Sequence, residues 1–324
     1  MLSRRLLFSG LAALAAVAVP ASPAVAQSYP TRPITLIVPF AAGGFNDVIV
    51  RVVAAHMAKS LGQSIIIEND AGAGGTTATA RGAQAPADGY TIIAGSMGTH
   101  AAAATQYPNL KYDPAKDFTP IGLTAEAPAV IVTRKDFPAN NLKEFVAYVR
   151  QNQSKVNEAH AGVGSQMHTY CTLLHAIMGT KTARIAYRGG APAINDLVAG
   201  QVDFGCVSIN TVVSQIQGGT IKAIAIASPE RADVIKDVPT TTEAGLPEFQ
   251  VSGWNAIFAP KNLPQQIQAT LSEALAQALD DQLTRKRLLE IGCFMPHSAE
   301  RSPQALQSRV EREVARWSLV LKRE

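Results

Sequence analysis

Short apolar runs of about five residues recur along this chain, each followed by glycine and then by a stretch with helical spacing. Ile34 to Val38 is the first. It is closed by Pro39 and too short for a helix, which needs about ten residues, so it predicts a buried strand of a parallel sheet. Beyond the glycine loop the pattern predicts a helix capped by Asn46 or Asp47 and running to about Leu61. Val48, Val52 and Ala55 fall on its inner face, Asp47 stands four residues before Arg51, and Gly62 lies past its end. The same order returns at Ser64 to Glu68, where an Asn69 to Gly75 loop leads into an alanine-rich helix ending near Gln84. It returns again at Tyr90 to Ala94, with Gly95 to His100 before another alanine helix.

From Phe118 to Val132 the pattern turns extended, with Pro120, Pro128 and a strand from Ala129 to Thr133. Asn141 predicts a helix N-cap, with Glu144 three residues on and Leu142, Phe145 and Val149 at helical spacing. A glycine loop with Ser165 as N-cap opens the next helix, buried through Tyr170, Leu173, Leu174 and Ile177 and ended by Gly179. Strands follow at Ala183 to Tyr187, Val202 to Val207 and Ile221 to Ala227, with a short helix whose first position suits Pro192 and another around Thr211 to Gln217. Val251 to Ala259 is a second extended crossing. The remainder is helical, from Pro264, from Thr284 to Ile291 and from Ser302, and the last helix carries Leu306, Val310, Glu313, Trp317 and Leu321 on one strip.

Alternating strands and helices point to parallel sheets, and two crossings imply two domains: residues 27–125 with 232–324, and residues 126–231. Arg4 and Arg5 precede a largely apolar, uncharged run, Leu6 to Val19, and the small residues Ala24 to Ala26 precede Gln27. That is a secretory signal peptide over 1–26, cleaved near Ala26 and Gln27, and it predicts an exported, periplasmic protein. Ser3 to Phe8 also loosely matches a twin-arginine signal, and the general secretory route fits better. Without residues 1–26 the formal charge falls from +4 to +2, since two arginines and no acids are lost. Such a balance, with Lys and Arg scattered, argues against a nucleic-acid footprint, which needs a clustered basic face. Cys171, Cys206 and Cys293 allow at most one internal bridge, show no C-x-x-C spacing, and read chiefly as small buried apolar residues.

Four loops share one build, strand end, glycines, helix start: 39–47, 95–100, 162–168 and 187–192. Glycine keeps side chains away from backbone N–H groups, and the first amides of a helix carry partial positive charge, so each loop suits a carboxylate or phosphate. Two such loops from each domain, facing across a cleft, would clamp an anionic small molecule. Gly72 and Gly74 do not begin a dinucleotide fingerprint, because its third glycine falls at Thr77. Ser96 and Ser165 each follow glycine directly, so neither stands in G-x-S-x-G, and no spacing links them to a His and Asp pair. His168 and His175 are seven apart without a nearby carboxylate or cysteine to complete a metal set. No catalytic residue, metal or cofactor is expected. Asp47 fits N-capping and pairing with Arg51 better than contact with an anion.

At this point the motifs carry a resemblance. Tyr29 to Ile34, Val38 to Gly44 with Asp47, Asn69 to Gly75, Asp88 to Tyr90, Gly162 to His168, Tyr187 to Pro192, Gly200 to Asp203, Val238 to Thr240, Glu243 to Gly245 and Trp254 to Pro260 occur in an order that resembles the Bug-type receptors. These are the extracytoplasmic solute-binding proteins of tripartite tricarboxylate transporters. The resemblance implies an α/β, two-domain periplasmic-binding-protein fold of type II-like build, with a parallel-rich sheet in each domain. It implies capture of a small carboxylate: a dicarboxylate, tricarboxylate, acidic amino acid or aromatic acid. The loops at Pro39 to Asp47 and Tyr187 to Ala191 would hold one carboxylate through backbone groups and ordered waters, and those at Ser96 and Gly164 to His168 would shape the rest. The expected ligand contacts are Phe40, Gly43, Gly44, Asn46, Asp47, Ser96, Thr99, Ser165, His168, Tyr187, Gly189, Gly190, Ala191 and Asp203. Phe45 and Asn46 depart from the family pattern, which has a proline or small residue and then a small polar one. The partners expected are the transporter's membrane subunits, with the receptor itself a monomer. The alternatives are a receptor that presents its ligand to a membrane sensor kinase and, less favoured, a periplasmic hydrolase.

Overall fold

A computed structural model describes residues 29–321. The leader and its cleavage point lie outside the described residues. The order is β1 (Ile34–Val38), α1 (Phe45–Leu61), β2 (Ile65–Asn69), α2 (Thr76–Ala83), β3 (Thr91–Ser96), α3 (Ala103–Gln106), β4 (Phe118–Arg134), α4 (Leu142–Gln151), β5 (Asn157–His160) and α5 (Gln166–Met178). It continues with β6 (Ala183–Ala186), α6 (Gly190–Val198), β7 (Phe204–Ser208), α7 (Val213–Gln217), β8 (Ile221–Ile226), β9 (Ser252–Pro260), α8 (Gln265–Asp280), α9 (Gln282–Glu290) and α10 (Pro303–Leu321). Among the described residues no helix is long and apolar enough to cross a membrane.

The strands run β2-β1-β3-β9-β4-β7-β5-β6, with β8 also on β4. β2, β1 and β3 are mutually parallel, as are β6, β5 and β7. These two parallel wings are joined by β4 and β9, which run antiparallel to each other, β9 completing the first wing against β3 and β4 completing the second against β7 and β8. The extended crossings are therefore paired strands. β4 is long enough to serve both wings, at 17 residues. Its register shifts near Pro120, Leu123 and Ile131, the local irregularity that lets one strand bend from one sheet into the next. Side chains alternate along it: Ile121, Val130 and Val132 enter one core cluster, and Leu123, Ala129 and Ile131 the other. The central strands β1, β3, β4, β7 and β9 are covered on both faces, which is why they are mostly apolar, whereas the edge strands β2 and β6 are partly exposed.

Several local details differ from the sequence reading. The inner face of α1 is Ile49, Val50, Val53, Ala54 and Met57, whereas Ala55 is exposed and Val48 and Val52 are half-buried. The N-cap of α1 is Gly44, without a side-chain cap, so neither Asn46 nor Asp47 caps it. Pro192 is third in α6, whose N-cap is Gly189. The alanine helix after β3 begins as a π-type turn, Gly98–Ala102, before four α-helical residues. Cys171 of α5 and Cys206 of β7 form a disulfide, correcting their reading as simple apolar residues, and Cys293 is buried and free. By contrast the Asn141 cap accepts from the Glu144 N–H as expected, and Glu144 in turn accepts from the Asn140 N–H. Glu313, the polar residue on the apolar strip of α10, accepts from the buried Trp317 indole N–H at 2.8 Å.

Candidate functional site

β1 delivers Pro39 and Phe40 to the rim, and the chain then turns through Gly43, at φ +78°, into Gly44 and α1. The turn is fixed from beneath by Asp47, which is buried. Its Oδ2 accepts from the Gly43 N–H at 2.8 Å and from Arg51 Nε at 2.9 Å, and its Oδ1 accepts from Asn69 Nδ2 at 2.9 Å. Asn69 Nδ2 also donates to the Phe40 carbonyl at 3.1 Å. Burial raises the Asp47 pKa, but the bonds from Arg51, Gly43 and Asn69 outweigh it and hold the carboxyl below its ordinary value. Asp47 therefore builds the loop. The Gly43 N–H is committed to that carboxylate and the Gly44 N–H to the Ala41 carbonyl, so the amides left for a ligand begin one residue later, at Phe45 and Asn46.

The opposing loops come from the second wing. After β5 the chain passes through Gly162 and Gly164, both with positive φ, to Ser165, whose hydroxyl caps α5 by accepting from the His168 N–H at 3.3 Å. After β6 it turns at Gly189 into α6. After β7 a tight turn follows, in which Thr211 Oγ1 donates to the Ser208 carbonyl. These segments and the first loop enclose a cavity with about 30 Å³ open to the centres of water molecules. It is lined by Phe40, Gly44, Phe45 and Asn46 from the first wing and by Ala161, Ser165, Gln166, Met167, Gly190, Ser208 and Thr211 from the second. The N-termini of α1, α5 and α6 all meet it. Among the described residues no acidic, basic or histidine side chain lines it.

Of the expected contacts, Phe40, Gly44, Asn46, Ser165 and Gly190 line the cavity. The others do not, each for a structural reason. Thr99 Oγ1 lies 3.1 Å from the Ser96 amide, which donates to it, and 3.0 Å from His100 Nδ1, closing a turn in which all three residues are buried. The Tyr187 hydroxyl donates to Asp196 at 2.6 Å; burial and that carboxylate push its pKa up to about 12. Asp203 accepts from Arg134 Nε and from the Asn157 N–H, locking β4, β5 and β7 together. Gly43, Gly189 and Ala191 form the seam beside the cavity: a Cβ on Gly43 would meet that of Ala191 at 3.7 Å, and one on Gly189 would stand 3.0 Å from the Ala41 nitrogen. His168 accepts at Nδ1 from Gln106 Nε2 at 3.0 Å. Burial first, then the neighbouring His160 and Arg184, push its pKa down to about 3, so it is neutral.

Phe45, Gln166 and Met167 belong to loops expected to shape the pocket but were not among the expected contacts, and Ala161, Ser208 and Thr211 were not expected. Ser208 to Thr211 has the same strand-to-turn build as the other loops but no glycine, the feature that marked the rest. Gln166 Nε2 donates to the buried Tyr170 hydroxyl at 2.7 Å, and Ser208 Oγ lies 3.5 Å from that hydroxyl. Gly253 of β9 sits beneath the pair, where a Cβ would come 1.4 Å from Gln166 Nε2. His175 does have a carboxylate beside it, Glu158 Oε2 at 2.7 Å, contrary to the sequence reading. Even so, the described residues hold no group of three ligating side chains. The site gathers three helix N-termini on one cavity, and among the described residues that line it no nucleophile stands beside a base.

Comparison with known proteins agrees with this architecture. The family model described as tripartite tricarboxylate transporter family receptor matches residues 49–324. MatC from Rhodopseudomonas palustris, solved with bound malate, is 44% identical with a TM-score of 0.88, over 90% of this chain and 99% of that one. The periplasmic binding protein BugD is 38% identical with a TM-score of 0.87, over 91% and 98% of the two chains. An R. palustris protein solved with adipate is 33% identical with a TM-score of 0.86, over 91% and 97%. These are binding proteins rather than enzymes. With helix N-termini gathered on one cleft and a match over most of its length, this chain belongs to the receptor family of the tripartite tricarboxylate transporters, the Bug-type solute-binding proteins.

Proposed function

We propose that this receptor captures a compact aliphatic dicarboxylate, of the class spanned by malate and adipate, and delivers it to the membrane subunits of a tripartite tricarboxylate transporter. The cleft lies between the half formed by residues 27–125 with 232–324 and the half formed by 126–231. The protein acts in the periplasm as a monomer after loss of its leader. The observation that carries this reading is the meeting of three helix N-termini on a cavity without a cationic side chain. A carboxylate there is held by backbone amides of α1 and α6, and a second one faces Ser165, Gln166 and Thr211. Hydrogen bonds to a charged group contribute about 1.5–3 kcal/mol each, and micromolar affinity needs about 8 kcal/mol net, so four or five such bonds are sufficient. Phe40, Phe45 and Met167 supply apolar wall for a methylene chain and disfavour a bulky or cationic ligand.

Isothermal titration of residues 27–324 with malate, succinate, adipate, glutamate, citrate and benzoate tests the reading. Saturable binding of an aliphatic dicarboxylate, lost for its diamide, is expected. Equal binding of the diamide, or no binding by any acid to protein refolded free of copurified ligand, overturns it.

A further inference from the structure

Beside the cavity, outside its lining, the two wings meet along a second seam built from backbone. Gly74, at φ +62°, is so close to the opposite wing that a Cβ on it would stand 1.8 Å from the Val163 carbonyl oxygen. A Cβ on Gly98 would stand 2.8 Å from the Gly164 carbonyl oxygen and 3.0 Å from the Gln166 nitrogen. On the other side, a Cβ on Gly162 would lie 3.0 Å from the Gly74 nitrogen, and one on Gly164 would lie 2.5 Å from the Tyr107 ring. Glycines of one wing thus seat against glycines of the other, at a separation only glycine permits.

Tyr107 closes this seam. It follows α3 directly, and its hydroxyl reaches two carbonyls at once, that of Ala73 at 2.8 Å in its own wing and that of Val163 at 2.5 Å in the other. One O–H is shared between the two acceptors, so the hydroxyl bridges the wings. A separate bond crosses nearby, from Gln106 to His168.

We propose that Tyr107 is a positioning residue that latches the closed cleft, with the Gly74, Gly98, Gly162 and Gly164 seam as its seat, so that ligand retention is set in part by residues that never touch the ligand. The latch exists only when the wings are together. It therefore stabilises the closed state over the open one and acts on the rate of opening. A Cβ at Gly98 has backbone, not a flexible side chain, in its way, and wedges the seam apart. The proposal rests on the two-wing clamp, and its first readout needs no ligand.

The test places spin labels at the exposed positions Lys59 and Lys181, one in each wing, and compares pulsed-dipolar distance distributions for wild type, Tyr107→Phe and Gly98→Ala. Wild type is expected to hold a closed, short-distance population that both variants deplete, while the melting temperature of the ligand-free variants stays within about 2 °C. With malate as the probe, Tyr107→Phe should raise the dissociation rate about three- to tenfold with the association rate not reduced. Distance distributions and dissociation rates matching wild type in both variants would overturn the latch, as would a fall in ligand-free melting temperature that accounts for the whole effect. If malate does not bind wild type, the ligand reading fails, and the distance comparison still decides the latch.

Discussion

Adding one methyl group at Gly253 probes how the floor of the cavity is built. The new Cβ would lie 1.4 Å from Gln166 Nε2, 2.7 Å from Gln166 Cδ and 2.0 Å from the Tyr170 hydroxyl. Tyr170 is fully buried, with its ring in the core, and yields little. Gln166 has a flexible end and moves, which breaks its 2.7 Å bond to the Tyr170 hydroxyl and redirects its amide within the cavity. Overpacking a dense core costs about 1–3 kcal/mol, and a buried polar group left without its partner about 1–3 kcal/mol more. Since the shift of Gln166 relieves part of the strain, Gly253→Ala should lower unfolding free energy in urea by about 2–4 kcal/mol. It should also weaken ligand binding at least tenfold. Adding Gln166→Ala removes the closest contact, so the double variant should regain part of the stability but none of the affinity. The reasoning is refuted if Gly253→Ala unfolds within about 0.5 kcal/mol of wild type, or if the double variant is no more stable than the single one. Neighbouring residues that share a contact are expected to be non-additive in this way.

Asp47→Asn should cost about 1–3 kcal/mol, because the buried carboxylate accepts from Arg51, Gly43 and Asn69. The Asp47 pKa is lower folded than unfolded, so its contribution is complete above the unfolded value of about 4 and is lost as pH falls through the lower folded value. Denaturation followed from pH 7 to pH 2 should therefore be less steep at the acid end in the Asn variant, and identical slopes would contradict the assignment. Ser165→Ala removes the α5 cap and a cavity hydroxyl together; a loss of about 0.5–2 kcal/mol by thermal unfolding and weaker dicarboxylate binding are expected, and unchanged values for both would contradict that role. Replacing Cys171 and Cys206 with serine opens a bridge between residues 35 apart and should cost about 3–4 kcal/mol. Thiol titration of the unreduced protein should find none reactive when native and one, Cys293, when unfolded; three would exclude the bridge.

Much of this protein is written into short-range pattern. Apolar runs bounded by proline and glycine located β1, β2 and β3: β1 and β3 because a strand buried on both faces is nearly all apolar and ends where the backbone turns, and β2, an edge strand, through its Ile65 to Ile67 run. Asn141 with Glu144 and Ser165 before α5 were legible as caps, since capping is settled within four residues. Three of the four glycine loops marked the walls of the cavity, and Phe40, Gly44, Asn46, Ser165 and Gly190 do line it. What the pattern could not carry is direction in space. Tyr187 stands at the C-terminal end of β6, yet its hydroxyl is spent on Asp196, and Asp203 stands before β7, at the opposite end of the parallel strands from the cavity, where it is spent on Arg134 and Asn157. Asp47 is likewise absorbed by Asn69, 22 residues on. The two extended crossings were legible as paired segments, and β4 and β9 do pair, but one sequence could not show that Cys206 meets Cys171, or that Gly253, far from every glycine loop, must be bare so that Gln166 can reach Tyr170. Elements arise from bonds and periodicities within a few residues. The site arises from distances between residues separated by tens of positions, which only the packing of two wings around their shared strands decides.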